Sequence, residues 1–134
     1  MLLDEIGSYL QSVGVGAVGS TIFKGDLPDE PVACLALLDG PSSMPDFAHG
    51  TDGPNIEYPR FQIIARGTRE AGGQIAARQL ADNAYVALCR VVNLTLSGTR
   101  YLRIEPLQTP FLIGRDANGN VQIGANFEAT KVPS

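Results

Sequence analysis

The strongest constraint on the fold is a regular alternation near the C-terminus. Within residues 121–129 every second position is apolar: Val121, Ile123, Ala125, Phe127 and Ala129. Successive side chains of a strand point to opposite faces, so this pattern predicts a strand with one buried face. Asn118-Gly119 just before it favours the positive φ angles of a tight turn, and residues 110–114 supply a preceding strand. This region is therefore predicted to form a β-hairpin.

Two segments have the three- and four-residue periodicity of amphipathic helices. Residues 2–13 carry one apolar stripe, made of Leu3, Ile6, Leu10 and Val13. Residues 69–92 follow Thr68, which we expect to cap a second helix. The inner stripe of that helix is predicted to contain Ala76, Leu80, Ala84, Ala87, Leu88 and Val91.

Further strands are predicted at residues 20–24, 32–38, 58–67 and 99–106. In the last of these, Leu102 and Ile104 are expected to face inward and Tyr101 outward. The resulting order is α-β-β-β-α-β-β-β. Clusters of strands separated by single helices indicate the α+β class, with a mixed, mostly antiparallel β-sheet flanked by two helices.

Length and composition indicate one globular domain spanning residues 1–134. No apolar run approaches the ~18 residues needed to span a bilayer, so we expect no membrane contact. Asp4 and Glu5 lie where a signal peptide would be basic, which favours folding in a cytoplasm. Cys34 and Cys89 both lie in apolar stretches, and we expect them to pack in the core without forming a disulfide.

Charge is distributed unevenly along the chain. Residues 1–57 hold one basic and nine acidic side chains, whereas residues 58–134 hold nine basic and five acidic ones. Such asymmetry allows copies of one chain to present complementary surfaces to each other; the alternative is that both halves are simply solvated. No run of basic residues interleaved with aromatics is present, so sequence-specific nucleic-acid binding is not expected.

Residues 39–57 form the least regular part of the sequence. Three glycines and three prolines within these nineteen residues predict a long irregular loop, which in a compact domain is usually functional or disordered. We therefore expect this loop to contact a partner. The candidate interface residues are Met44, Asp46, Phe47, His49, Asp52 and Ile56.

The chain lacks a recognisable catalytic constellation, and we expect neither enzyme activity nor a cofactor. His49 is the only histidine and has no cysteine near it, and the acidic residues around it have no spacing typical of a metal site. Asp116-Ala-Asn-Gly-Asn120 resembles the start of a calcium loop, but it lacks the glycine and glutamate positions of an EF-hand.

Gly14-Val-Gly-Ala-Val-Gly19 matches the dinucleotide-binding fingerprint by letter. That mechanism needs a strand before the glycines and a helix after them, whereas here a predicted helix precedes and Pro28 follows. We expect a flexible connection between helix and strand. A small-ligand or nucleotide-binding domain remains the alternative from a different functional class.

Several motifs occur in an order that resembles a known family. They are Leu27-Pro-Asp-Glu-Pro31, the segment 58–67, the segment Gln108-Thr-Pro-Phe-Leu-Ile-Gly-Arg-Asp116, and Asn126-Phe127. Together they resemble the minor capsid or tail terminator (tail-completion) proteins of long-tailed bacteriophages. The resemblance covers nearly the whole chain, except for residues 39–57.

The resemblance implies a structural protein of the virion tail, assembled in the host cytoplasm. Such proteins typically form a hexameric ring on the head-proximal end of the tail tube, where they end tube polymerisation. The implied partners are other copies of the chain, the tail tube protein and a head or neck connector protein. DNA is expected to pass through the ring without sequence-specific binding, and the family has no catalytic residues to carry over.

Three further expectations follow from this resemblance. Contacts between copies are partly driven by charge, the loop becomes ordered against a partner, and acidic side chains such as Asp46 and Asp52 line the bore and repel DNA. The nearest alternative within the same class is another head-tail joining or neck adaptor protein.

Overall fold

The computed structural model describes residues 2–40, 43–46 and 56–132, with two helices and nine strands in these ranges. In chain order they are α1 (Leu2–Ser12), β1 (Ile22–Lys24), β2 (Cys34–Asp39), β3 (Ser43–Asp46), β4 (Ile56–Tyr58), β5 (Arg60–Arg66), α2 (Gly73–Cys89), β6 (Val92–Leu96), β7 (Thr99–Pro106), β8 (Phe111–Arg115) and β9 (Val121–Lys131). The predicted α+β class is confirmed. The short strands β3, β4 and β6 are additions to the predicted order.

Strand β9 lies at the centre of the sheet. One of its edges pairs with β5 and β4, and the other pairs with β8 and β7. Crossing the sheet laterally, the order is β1-β2-β5-β9-β7-β6. Only the pairing of β1 with β2 is parallel; the other strand pairs within the described residues are antiparallel. The short strands β1 and β6 therefore mark opposite sides of the sheet.

Both helices pack on the same face of the sheet. The inward residues predicted for β9 are all buried there, and they share one core with the apolar residues of α1 and α2. The Phe61 and Phe127 rings are stacked with centroids 5.3 Å apart, which joins β5 to β9 within this core. Because a strand alternates its side chains, Arg66 and Gly124 lie on the opposite face, which carries neither helix.

The predicted hairpin is confirmed as the pair β8 and β9. The Asp116 Oδ1 atom accepts hydrogen bonds from the backbone N–H groups of Asn118 and Asn120, both at 2.9 Å. Gly119 adopts a φ of 81°, a left-handed conformation that glycine tolerates without a steric cost. The backbone N–H groups of the turn lower the pKa of the Asp116 carboxyl group below its ordinary value.

The ends of the helices differ from the prediction. Helix α1 ends at Ser12, which leaves Val13 48% exposed, so its predicted place in the buried stripe was wrong. Helix α2 begins at Gly73 after Gly72, and no side chain caps it, so Thr68 is not the cap. A Cβ at Gly67 would collide with the carbonyl oxygen of Gly73, so the backbone approaches itself closely between β5 and the first residue of the helix.

The inner face of α2 is shifted from the predicted stripe in its first half. The structure buries Ala77 and Ala81, whereas Ala76 is exposed and Leu80 is half-buried. The buried positions 77, 81, 84 and 88 keep the three- and four-residue spacing of a single helix face. The second half of the prediction was right, since the structure buries Ala84, Ala87, Leu88 and Val91.

Strand β7 contains an irregularity that the alternation pattern does not reveal. The register with β9 shifts between Tyr101 and Arg103, and as a result both Tyr101 and Ile104 are buried while Leu102 is half-buried. The predicted outward position of Tyr101 was therefore wrong. A β-bulge places an extra residue in one strand and reverses the alternation beyond it.

The two cysteines are both free, as predicted. Cys34 is buried in β2, and burial raises the pKa of its thiol. Cys89 at the end of α2 is half-buried and so belongs to the edge of the core.

Candidate interaction surfaces

The predicted interface loop is described only at its two ends. Met44 and Asp46 lie in β3, for which the structure describes the backbone alone, and Ile56 lies half-buried in β4. Phe47, His49 and Asp52 lie outside the described residues. Strands β3 and β4 pair antiparallel, so the ends of the segment are more regular than predicted. A partner contact there stays a prediction.

A distinct acidic surface is formed by the connection between β1 and β2, residues 25–33, called here the acidic loop. Asp26, Asp29 and Glu30 are all exposed on it, and these nine residues contain no basic side chain. The Asp26 Oδ1 atom accepts a hydrogen bond from the backbone N–H of Leu27 at 2.8 Å, which fixes the start of the loop.

Arg66 at the end of β5 holds the acidic loop against the sheet. Its side chain is buried, with only 5% of the residue exposed, and its guanidinium group donates to backbone carbonyls of the loop. The acceptors are the carbonyl oxygens of Val32 at 2.7 Å, Pro31 at 3.0 Å, Asp29 at 3.4 Å, and Pro28.

The consequence concerns the carboxylates of the acidic loop. Because carbonyl oxygens satisfy Arg66, the side chains of Asp29 and Glu30 are not used to bind it, and no ion pair joins them to another described residue. Their negative charge is therefore presented to solvent from a loop whose backbone is fixed.

A basic surface lies near the other end of β9, in residues 90–105, called here the basic edge. It carries Arg90, Arg100 and Arg103 against a single acidic residue, Glu105, which pairs with Arg103. The Arg100 Nη2 atom also donates to the Asn93 Oδ1 atom at 2.8 Å.

The basic edge also exposes apolar side chains. Val92 is 61% exposed and Leu94 is 39% exposed, and both lie in β6, whose outer edge pairs with no other described strand. Ser97 and Gly98 join β6 to β7 with φ angles of 50° and 86°, which correspond to a type I′ turn. An unpaired, apolar edge strand of this kind favours association.

A buried polar cluster lies between α1 and the basic edge. The Tyr101 hydroxyl group donates to the Glu5 Oε1 atom at 2.7 Å, and the Thr99 hydroxyl group donates to the other carboxylate oxygen. Burial, with the nearby Glu5 carboxylate, strongly raises the pKa of Tyr101, so the phenol remains a donor. The cluster ties α1 to β7.

Asp4 and Glu5 are neighbours in the first turn of α1, but the structure places them in different environments. Only Asp4 is exposed, and it pairs with Lys24 at 2.6 Å, a contact that lowers the pKa of Asp4. Glu5 instead points into the core, with 5% of the residue exposed. Sequence periodicity alone did not separate these neighbouring carboxylates.

The described residues offer little support for bound metals or nucleotides. No group of three or more histidine, cysteine or acidic side chains within them is arranged to hold a metal ion. The glycine motif follows α1 and precedes β1, as predicted, so it lacks the strand-to-helix order of a dinucleotide site. Over the same ranges, no helix combines the length and apolar character required to cross a lipid bilayer.

Sequence reasoning missed the residues that organise these surfaces. Arg66 was given no role within the predicted strand 58–67, and Val92 was placed at the end of the helix predicted over residues 69–92. One usable signal was present for Arg66, since a basic side chain closes an otherwise apolar strand before Gly67. No local signal indicated that Val92 and Leu94 form an edge strand.

Comparison with known proteins identifies related sequences and folds. A family model described as "Bacteriophage tail terminator protein" matches residues 9–133. A solved structure titled "Virion of native gene transfer agent (GTA) particle" contains a similar chain, with 20% sequence identity and a TM-score of 0.54. The alignment covers 93% of this chain and 84% of that chain, and at this identity it supports the fold alone. No curated protein matches the sequence.

Proposed function

The chain belongs to the bacteriophage tail terminator protein family, and from this premise we propose that it caps the head-proximal end of the tail tube as a homo-oligomeric ring. Family membership confirms the resemblance carried by the sequence motifs and identifies a structural protein of the virion tail. In the proposed role, the ring ends tube polymerisation and joins the tail to the head or neck.

The observation that carries the ring proposal is the opposite character of the acidic loop and the basic edge. Arg66 holds the acidic loop beside the start of β9, whereas the basic edge pairs with the last residues of β9 through β7. A closed ring of identical subunits with cyclic symmetry needs two different, complementary surfaces on each subunit. Opposite charge at opposite ends supplies such a pair.

The partners beyond the ring follow from the family. The proposed axial partners are the tail tube protein on one side and a head or neck connector protein on the other, with a hexamer as the expected stoichiometry. Residues 39–57, including Asp46 and Asp52, are proposed to contribute to a partner surface or to the bore. DNA is proposed to pass through the ring without sequence-specific contacts.

The ring proposal is tested by mass and by tail morphology. We expect native mass spectrometry and electron microscopy of the purified protein, alone and with tail tube protein, to reveal closed rings. Rising salt should weaken them, because exposed charges are screened within about 10 Å at 0.1 M ionic strength. A monomer under all of these conditions contradicts the proposal.

Deletion of the gene in a producing phage or prophage separates the terminator role from its nearest alternative. A terminator predicts overlong tails, because nothing ends tube growth. Tails of normal length that lack heads indicate a neck adaptor instead.

A further inference from the structure

We propose that the acidic loop of one copy docks onto the basic edge of the next copy around the ring, with Val92 and Leu94 at the centre of the contact. The inference rests on the proposed homo-oligomeric ring and adds the two surfaces that form its subunit contact. It names side chains on each surface that neither the family nor the fold assigns.

The two surfaces are too far apart to meet within one chain. Arg66, which holds the acidic loop, pairs with Gln122 at the start of β9, whereas Arg103 of the basic edge pairs with Thr130 near the end of β9. A strand rises about 3.3 Å per residue, so the eight positions from Gln122 to Thr130 separate the two surfaces by roughly 26 Å. The basic edge can therefore meet an acidic loop only on a second copy.

Charge and apolar character are matched between the surfaces. The basic edge places Arg90 and Arg100 around Val92 and Leu94. The acidic loop offers three exposed carboxylates, with half-buried apolar side chains between them at Leu27 and Pro28 and after them at Val32. Interfaces between proteins commonly combine an apolar centre with a charged rim, and arginine is enriched among residues that dominate binding.

The β1 side of the sheet does not favour extension by another strand. The backbone N–H of Ile22 donates to the Ala17 carbonyl at 3.0 Å, and the Ile22 carbonyl accepts from the Gly19 N–H at 2.8 Å. These bonds use backbone groups of Ile22 that an added strand would need. The β1 edge is therefore not assigned as a strand-pairing contact between copies.

Both surfaces are held in place before association. Arg66 fixes the backbone of the acidic loop through carbonyl groups, and Tyr101 and Thr99 fix the basic edge through Glu5. Surfaces that are already ordered lose less conformational entropy when they bind. This arrangement suits a contact that must repeat identically between every pair of neighbours.

Charge reversal on each surface tests the docking. We expect the double variant Asp29→Lys/Glu30→Lys to weaken ring formation at least tenfold, as measured by mass photometry over a dilution series. Arg90→Glu/Arg100→Glu should have a similar effect. A chain that carries all four substitutions should recover rings, because the charges of the two surfaces are exchanged but remain complementary.

A matched control and an apolar variant complete the experiment. Glu70→Lys/Asp82→Lys makes the same charge change as the acidic-loop variant at exposed positions outside both surfaces, and it should leave ring formation unchanged. Val92→Ser/Leu94→Ser should also weaken rings at least tenfold without altering charge. Circular dichroism checks that each variant is folded.

The outcomes separate this inference from the ring proposal. Wild-type protein that forms no ring, alone or with tail tube protein, overturns the proposed function. Rings that form in wild-type protein and persist equally in every folded surface variant overturn the docking assignment alone. Loss of rings in the single-surface variants with recovery in the fourfold variant supports both.

Discussion

The acidic loop and the basic edge differ in the sign of the charge that is buried beneath each of them. The acidic loop lies over a buried cation, Arg66, whereas the basic edge lies over a buried carboxylate, Glu5. In each case neutral backbone carbonyls or hydroxyl groups satisfy the buried charge. The charged side chains at the surface are thus left available for other contacts.

Apolar exposure distinguishes the same two surfaces. The basic edge exposes Val92 and Leu94, whereas no large hydrophobic side chain is exposed in the described residues 14–40. The basic edge therefore presents exposed apolar side chains, whereas the acidic loop presents carboxylates on a fixed backbone. The difference shows how one small sheet can present two unlike surfaces to identical neighbours.

The largest expected effect comes from removing the anchor of the acidic loop. Arg66→Met should lower the free energy of unfolding by about 3 kcal/mol, because buried carbonyl groups lose a charged donor. Urea denaturation measures the change. Arg69→Met at the neighbouring exposed position is the control, with an expected change under about 0.5 kcal/mol. Equal effects at the two positions would show that Arg66 does not anchor the loop.

Removing one hydroxyl group from the opposite anchor should have a smaller effect. Tyr101→Phe keeps the ring but removes its hydrogen bond to Glu5, at an expected cost of about 1.5 kcal/mol. Thermal or urea unfolding measures it. Tyr85→Phe, which removes the hydroxyl group of a half-buried ring outside this cluster, should cost less. A larger loss for Tyr85→Phe contradicts the importance given to the Glu5 cluster.

A stabilising change in the turn of the basic edge should have a smaller effect still. Ser97→Asn creates an Asn-Gly pair at two positions with positive φ, and we expect a gain of about 0.5 kcal/mol because Asn tolerates this conformation better than Ser. Ser8→Asn, at an exposed position of α1, controls for the Ser-to-Asn substitution itself. Destabilisation by Ser97→Asn would argue against a type I′ turn.

The smallest expected effect is the pH response of the turn beside the acidic loop. The pKa of Asp116 is lowered in the folded protein by the N–H groups of Asn120 and Asn118, so its contribution to stability is complete above its unfolded pKa. That contribution is lost as the pH falls through the lowered folded value. Asp116→Asn should reduce the fall in the free energy of unfolding that urea denaturation measures as the pH is lowered from 6 to 2. An unchanged fall over this pH range would contradict the assignment.

Much of the fold was predictable because its signals are local. The alternation in residues 121–129 identified β9, the Asn-Gly pair identified its turn, and the apolar run at 32–38 identified β2. Each of these patterns is read within one strand or turn, so no knowledge of distant residues is needed. The same holds for the family motifs, which were recognised by their order.

The candidate surfaces were less predictable because they depend on distant pairs. Glu5 meets Tyr101 across 96 positions of the chain, and Arg66 meets Val32 across 34. A bulge in β7 also changed which of its side chains are buried. Such events arise from the register between strands and leave little trace in the sequence around each residue.

The sequence by itself determined the α+β class, the C-terminal hairpin and the family, because periodicity, turn chemistry and motif order are encoded in neighbouring residues. Tertiary structure alone decided which charges are buried and which are displayed. Arg66 and Glu5 are anchors only because the sheet brings the acidic loop to one and the basic edge to the other, and burial strengthens their hydrogen bonds while water screens the charges outside.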